Sequence, residues 1–126
     1  YAMHYPVEDL YWLSHIIQAE AGQQPLAGQI GVGNVVINRV NHEDFPDTIT
    51  EVVFQKGDRA MFTPVESGVI HQVSDERSLI AAYLVLEGYN TVGESLYFVN
   101  PTIGNGSWAA ANCTFVIRIG DHDFYA

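Results

Sequence analysis

Apolar residues recur at helical spacing through the first two thirds of the chain and alternate with polar ones near its end. In residues 8–21, EDLYWLSHIIQAEA, a stripe runs through Leu10, Leu13 and Ile17 and continues at Glu20 or Ala21. Glu8 and Asp9 suit the positive end of a helix dipole, and Gly22 is a natural stop. The spacing predicts a first helix over 8–21. Residues 25–40, PLAGQIGVGNVVINRV, carry conflicting signals. Pro25 suits a first helical turn, but Gly28, Gly31 and Gly33 weaken a helix and Val35-Val36-Ile37 would suit a strand. A helix is the preferred reading, with glycines that let another backbone approach closely. Asp47-Thr48 caps a short helix over 48–54. Gly57, Pro64 and Gly68 make 56–73 an ordered loop. Ser74 leads into a strong helix over 75–87, with Asp75 and Glu76 in its first turn and Gly88 as its stop.

Beyond that point the period changes. SLYFVN (95–100) and TFVIRI (114–119) read as strands. In the second, Phe115, Ile117 and Ile119 share one face and Val116 and Arg118 the other. Tyr97 and Phe98 alternate, so one faces the core and the other faces out. The intervening PTIGNGSWAAAN reads as loop, and Asp121-His122-Asp123 as a solvated turn after the second strand. Helices first and a small antiparallel pair last is an α+β pattern.

At 126 residues the chain fits one domain, residues 1–126, able to bury a core. Tyr1 is not an initiator methionine, as expected of a trimmed or processed chain, and no signal peptide is visible. The longest apolar run, Leu79 to Leu86, falls far short of the ~20 residues of a membrane-spanning helix. Fifteen acidic and five basic residues give a formal charge of −10, which argues against a nucleic-acid backbone or anionic lipid as partner. Cys113 is the only cysteine, so there is no internal disulfide and no Cys-based zinc cluster. Nothing near it lowers a thiol pKa, and it reads as a small, partly buried side chain.

Glu20 carries the most chemical information. It shares the stripe of Leu13, Ile16 and Ile17, where a carboxyl is unexpected, and it lies in the last helical turn, where the dipole disfavours negative charge. Both effects raise its pKa. A carboxylic acid still protonated near neutral pH is what a glycosidase needs to protonate a leaving oxygen. A second reading is a Glu at the edge of the core paired with Arg39 or Arg118. Asn34, Asn38 and Arg39 stand in an apolar segment; they are either sugar- and carboxylate-binding groups or an exposed helix face. Phe62, Tyr97, Phe98, Trp108, Phe115, Phe124 and Tyr125 are core residues or, for some, a sugar-stacking surface. His4, His15, His42, His71 and His122 show no tight ligand spacing. No G-x-S-x-G elbow or phosphate-cradling loop is present.

Several segments, in order, resemble one family. They are AEAGQQPLAGQIGVGNVVINRV (19–40), FPDTITEVVF (45–54), FTPV (62–65), GESLYFVNP (93–101) and IGDHDFY (119–125). Together they resemble the SleB/CwlJ cell wall hydrolases, the spore cortex-lytic enzymes, over about 9–125. The resemblance implies a lysozyme-like catalytic domain that cleaves N-acetylmuramic acid–N-acetylglucosamine strands as a lytic transglycosylase and leaves a 1,6-anhydro-muramic end. The family's catalytic Glu stands in its A-E-A motif, here Glu20. By resemblance and residue type, Asn38, Phe62, Thr63, Tyr97 and Asn100 contribute to the cleft. No metal or cofactor is expected. The expected partner is the glycan strand of peptidoglycan, met by a monomer outside the cytoplasm, in the cell wall or spore cortex.

Two departures stand out. Many relatives carry a second Glu where this chain has Gln24, and a Gln where it has Met61. Water attack with inversion would need a second carboxylate about 6.5–9.5 Å from the first; Asp44, Asp47, Asp58 and Glu66 are the candidates. Two rival functions remain. One is a metal-dependent amidase cutting the muramic acid–alanine bond, with ligands among His15, His71 and His122. The other is a wall-binding module without catalysis.

Overall fold

In the computed structural model, the structure describes residues 5–55, 69–71, 74–102 and 106–126. The first helix, α1 (Val7–Ala21), starts after Pro6 and ends at Gly22, whose N–H bonds the Gln18 carbonyl at 3.0 Å. The segment with conflicting signals is a helix throughout, α2 (Leu26–Val40), entered through Pro25. Then come α3 (Ile49–Val53) and α4 (Glu76–Leu86), with a 3₁₀ turn at Val69–His71 between them. Thr48 and Asp75 cap α3 and α4 by accepting the backbone N–H of Glu51 and Ser78. Gly88, after α4, has φ +104°, a left-handed conformation that favours glycine.

α1 packs against α2, α3 and α4, and α2 also packs on α4. Leu13, Ile16 and Ile17 of α1, Val32, Val35 and Val36 of α2, Val52 and Val53 of α3, and Ala81 and Ala82 of α4 are sealed from solvent. Each fully buried branched aliphatic contributes about 1.5–3 kcal/mol.

The helical glycines Gly31 and Gly33 of α2 do admit close approach, but by side chains rather than by another backbone. A Cβ on Gly31 would lie 2.8 Å from Val92 Cγ1 and 2.9 Å from Phe124 Cζ, and one on Gly33 would lie 2.7 Å from Val85 Cγ2. Phe124 thus fills the space where α2 lacks side chains.

The strand region departs from expectation in three ways. The sheet has three strands, β1 (Tyr97–Val99), β2 (Phe115–Ile119) and β3 (His122–Tyr125), in the order β1-β3-β2, all antiparallel. Residues 122–123 are therefore not a solvated turn. The turn is Gly120-Asp121, with Gly120 at φ +58°, and His122 and Asp123 are buried in the central strand. Second, Phe115 pairs with Tyr125 while Ile117 pairs with Phe124, so a bulge interrupts β2. Phe115 falls on the Tyr125 face and Ile117 and Ile119 on the other, which breaks the predicted alternation. Third, part of the predicted loop is a short helix, α5 (Ser107–Asn112). Of the Tyr97–Phe98 pair, Phe98 packs with Phe124 and His122, and Tyr97 lies on the opposite face.

Gly31→Ala should lower stability by about 1–3 kcal/mol, because overpacking against the sealed Phe124 and Val92 outweighs the gain in helix propensity. Denaturant unfolding measures it; an unchanged or raised midpoint would show that the α2–β3 contact is slack.

Candidate active site

Glu20 sits in the last turn of α1, three and four residues beyond the sealed Ile17 and Ile16. That end of α1 is pinned from α4. Gln18 Oε1 accepts both the Asp75 N–H (3.0 Å) and the Ser78 hydroxyl (2.9 Å), and an Arg77 Nη donates to the Gln24 carbonyl at 2.7 Å. The Glu20 side chain is half-buried. Burial pushes its pKa up to about 7, and the positive charge of Arg39 opposes the rise. No described residue hydrogen-bonds the carboxyl.

Neither predicted ion-pair partner clamps it. Arg118 grips Asp123 through two bonds, from Nε and from an Nη at 3.0 Å, within the sheet. Arg39 acts on Glu20 through its charge, without a salt bridge. The Arg39 side chain is buried near the end of α2; its Nε–H donates to the Leu96 carbonyl at 2.8 Å. Its guanidinium carbon lies 5.0 Å from the Phe45 ring centre and 5.3 Å from that of Tyr97, within cation–π range. Burial pushes its pKa down to about 10, so it stays cationic at neutral pH.

Tyr97 stands edge-on to Trp108 of α5 at 5.2 Å and to Phe45 at 6.2 Å. Arg39, Tyr97, Phe45 and Trp108 thus form a connected group drawn from α2, the 41–48 turn, β1 and α5. Phe45 was not singled out in the sequence. Its signal, an aromatic in an otherwise polar turn, is weak.

The other predicted site residues fall as follows. Asn38 donates through Nδ2 to the carbonyls of Gly93 and Ser95, both at 2.9 Å, and so ties α2 to the turn before β1. Asn34 bridges α2 to residues 89–91 through Tyr89 O and Thr91 N. Asn100 accepts the Thr102 N–H at 3.0 Å in the turn after β1. Phe62 and Thr63 lie outside the described residues, as do Met61, Asp58 and Glu66. Asp44 and Asp47 are exposed, and Asp44 lies 3.9 Å from His42 Nδ1.

Gln24 is bonded on both sides to Asp121. Its Nε2 donates to the carboxylate at 3.0 Å and its Oε1 accepts the backbone N–H at 2.9 Å. His15 bonds the Ile70 carbonyl through Nδ1 at 2.7 Å and stacks on Tyr11, His71 meets the edge of Trp12, and His122 lies between Phe98 and Phe124. Among the described residues, no three His, Cys, Asp or Glu side chains gather as metal ligands.

A half-buried carboxyl held near neutrality by burial, on an α+β scaffold and within the field of a guanidinium, has the protonation behaviour that a general acid/base needs. The chain belongs to the Cell Wall Hydrolase family, whose model matches residues 23–125, a span that begins just after Glu20. It is 31% identical over 120 residues to the spore cortex-lytic enzyme of Halalkalibacterium halodurans, covering 95% of this chain and 35% of that enzyme. The chain therefore spans about a third of that relative's length. Among solved structures it is similar to the catalytic domain of the germination-specific lytic transglycosylase SleB from Bacillus anthracis, with TM-score 0.87, 27% identity and all of both chains covered. It is also similar to the catalytic domain of the Bacillus cereus SleB protein, with TM-score 0.85, 29% identity, and 99% of this chain and 94% of that one covered. The fold is lysozyme-like.

The raised pKa has a consequence for stability. Glu titrates near 4.5 without the fold and near 7 at position 20 within it. Between those values the folded state holds the extra proton, so stability falls as pH rises through the window. Glu20→Gln removes that loss. At pH 8 the variant should be more stable than the parent by on the order of 2 kcal/mol, and near pH 4 the two should nearly coincide. Denaturant melts at the two pH values measure this; a variant weaker than the parent at pH 8 would contradict a strained carboxylate.

Proposed function

We propose that this domain cleaves the bond between N-acetylmuramic acid and N-acetylglucosamine in peptidoglycan, as a lytic transglycosylase with Glu20 as its one acid/base. The observation that carries the reading is the Glu20 carboxyl, held near neutrality by burial and without a hydrogen-bond partner among the described residues. The likeness to a SleB catalytic domain described as a lytic transglycosylase supports the same reaction class.

Protonated Glu20 donates to the glycosidic oxygen as the bond to the muramic C1 breaks and an oxocarbenium-like centre forms. The carboxylate left behind takes the proton of the C6 hydroxyl, and that oxygen bonds to C1. The products are the released sugar hydroxyl and a 1,6-anhydro end, and the carboxyl is protonated again. Because the nucleophile belongs to the substrate, no second carboxylate is needed. Tyr97 offers an aromatic edge to the sugar, with Phe62, Thr63 and Asn100 as further contacts. Asn38 contributes by holding the turn before β1, since its amide donor is already engaged at Gly93 and Ser95. The relatives named for spore cortex lysis support an action outside the cytoplasm, on cortex or wall.

Purified protein incubated with peptidoglycan should release muropeptides that end in anhydro-muramic acid, read by mass spectrometry. Reducing ends would mean hydrolysis, and freed stem peptides would mean an amidase. Glu20→Gln should lose at least about 10²-fold in turnover, the lower bound of general acid catalysis. In the parent, kcat/KM should fall above about pH 7 as Glu20 loses its proton. Near-normal turnover in Glu20→Gln would remove this residue from the mechanism.

A further inference from the structure

We propose that the cleft between the C-terminal end of α2 and the turn before β1 binds a primary ammonium group, that of the diamino acid in an uncross-linked stem peptide of peptidoglycan. The choice of ligand rests on the reading of the domain as a peptidoglycan-cleaving enzyme, to which it adds a peptide contact.

The cleft has a volume of about 350 Å³ and is lined by Asn38, Asn41, His42, Glu94, Leu96 and Ala126. That lies at the lower end of small-ligand sites, roughly 300–1,000 Å³. Its acidic wall is firmly held. Asn38 Nδ2 donates to the carbonyls of Gly93 and Ser95, on either side of Glu94, and Asn90 Nδ2 also donates to the Gly93 carbonyl. The Ser95 hydroxyl closes on the Val92 carbonyl at 2.7 Å. The backbone on both sides of Glu94 is thereby fixed, while Glu94 itself stays exposed at the cleft. Among the described residues no hydrogen bond or ion pair engages the Glu94 carboxylate or the Asn41 amide, and Asn38 Oδ1 accepts nothing.

These groups specify a cation that donates hydrogen bonds. One carboxylate and two amide oxygens accept; an ammonium brings a positive charge and three N–H donors. His42 supplies the complementary function. Its Nδ1 accepts the Asp44 N–H at 3.1 Å, so in the neutral ring the proton sits on Nε2. That N–H suits the carbonyl or carboxylate that accompanies an amine in a diamino acid. A metal ion would need more ligands, and among the described residues no three His, Cys, Asp or Glu side chains gather to hold one. An anion would meet Glu94 and the field of a chain with formal charge −10, which draws cations instead.

The cleft adjoins the aromatic wall. Leu96 precedes Tyr97 in the chain, Asn38 precedes Arg39, and the His42 ring stands edge-on to Phe45 at 5.7 Å. A glycan seated against Tyr97 carries its stem peptide on the muramic acid. Three extended residues span roughly 10 Å, enough to carry the diamino acid from the Tyr97 ring into a cleft that begins at the preceding residue.

The test is a nitrogen-15 NMR titration with N-acetyl-L-alanyl-γ-D-glutamyl-meso-diaminopimelate, and with the same peptide after acetylation of its remaining amine. The free peptide should shift the signals of Asn38, Asn41 and Glu94. Amine acetylation and Glu94→Gln should each weaken binding about threefold, the size of an exposed ion pair. Glu43→Gln, which removes a carboxylate from the neighbouring turn but not from the cleft, should bind as the parent does. No shifts at the cleft, or equal affinity for the acetylated peptide, would overturn the proposal. So would a loss in Glu43→Gln equal to that in Glu94→Gln, because diffuse charge would then be the attraction. On peptidoglycan, the parent should favour amine-bearing over amine-acetylated material by about threefold in kcat/KM, and Glu94→Gln should abolish that preference; a preference that survives Glu94→Gln overturns the site. If Glu20→Gln keeps its turnover, the acid/base reading fails and the peptide titration still decides the cleft. If Glu20→Gln is inactive and the cleft does not respond to the peptide, only the ammonium site fails.

Discussion

The Glu20 carboxyl extends the line that runs through Leu13, Ile16 and Ile17 to the end of α1, and the competition between its burial and the charge of Arg39 sets its state. Burial alone drives a carboxyl toward its neutral form, where it holds its proton but yields it reluctantly. A tight ion pair would do the reverse and strip the proton before any substrate arrived. Arg39 forms no salt bridge with Glu20; its Nε–H is engaged at the Leu96 carbonyl and its guanidinium lies near the Phe45 and Tyr97 rings. The guanidinium acts by its field, and the acid stays poised near neutrality.

That poise depends on packing elsewhere. α1 can present Glu20 at a fixed height only because Gln18 and Gln24, on either side of it, are tied to α4 by the Asp75, Ser78 and Arg77 contacts. The sheet reaches α2 because Gly31 leaves room for Phe124, and Asn38 then fastens the turn that delivers Tyr97. Backbone glycine, a buried phenylalanine and a committed amide set where the aromatic wall stands relative to the acid.

The helices were legible because their signals are local. The 3.6-residue stripe, Thr48, Asp75 and the glycine stops all act within a few residues. β3 was not. HDFY is short and polar at its start, and its burial depends on neighbours distant in sequence: Phe98 beside His122, and Arg118 neutralising Asp123 across the strand pair. α5 hid for a related reason, since Ser107–Asn112 is brief and preceded by a glycine-rich stretch. At the site, Glu20 stood out because a carboxyl on an apolar stripe is a local contradiction. The commitment of Asn38 to Gly93 and Ser95, more than fifty residues away, is invisible to any local pattern, and so is the stacking of Phe45 on Arg39.

Gln24 shows the same logic from the opposite direction. The family resemblance in the sequence sets a glutamate against Gln24, which would put a second carboxylate four residues from Glu20. In this chain the side chain at 24 is an amide that donates to the Asp121 carboxylate and accepts the Asp121 N–H. A glutamate there could keep the second bond but would turn the first into repulsion between two anions, at the tight turn where Gly120 already has a left-handed backbone. The amide therefore joins the α1–α2 turn to the β2–β3 turn, a structural task that a carboxylate would do badly. With position 24 engaged in this way, a mechanism in which the sugar's own C6 hydroxyl supplies the nucleophile asks nothing further of the chain than one acid that can give and retake a proton.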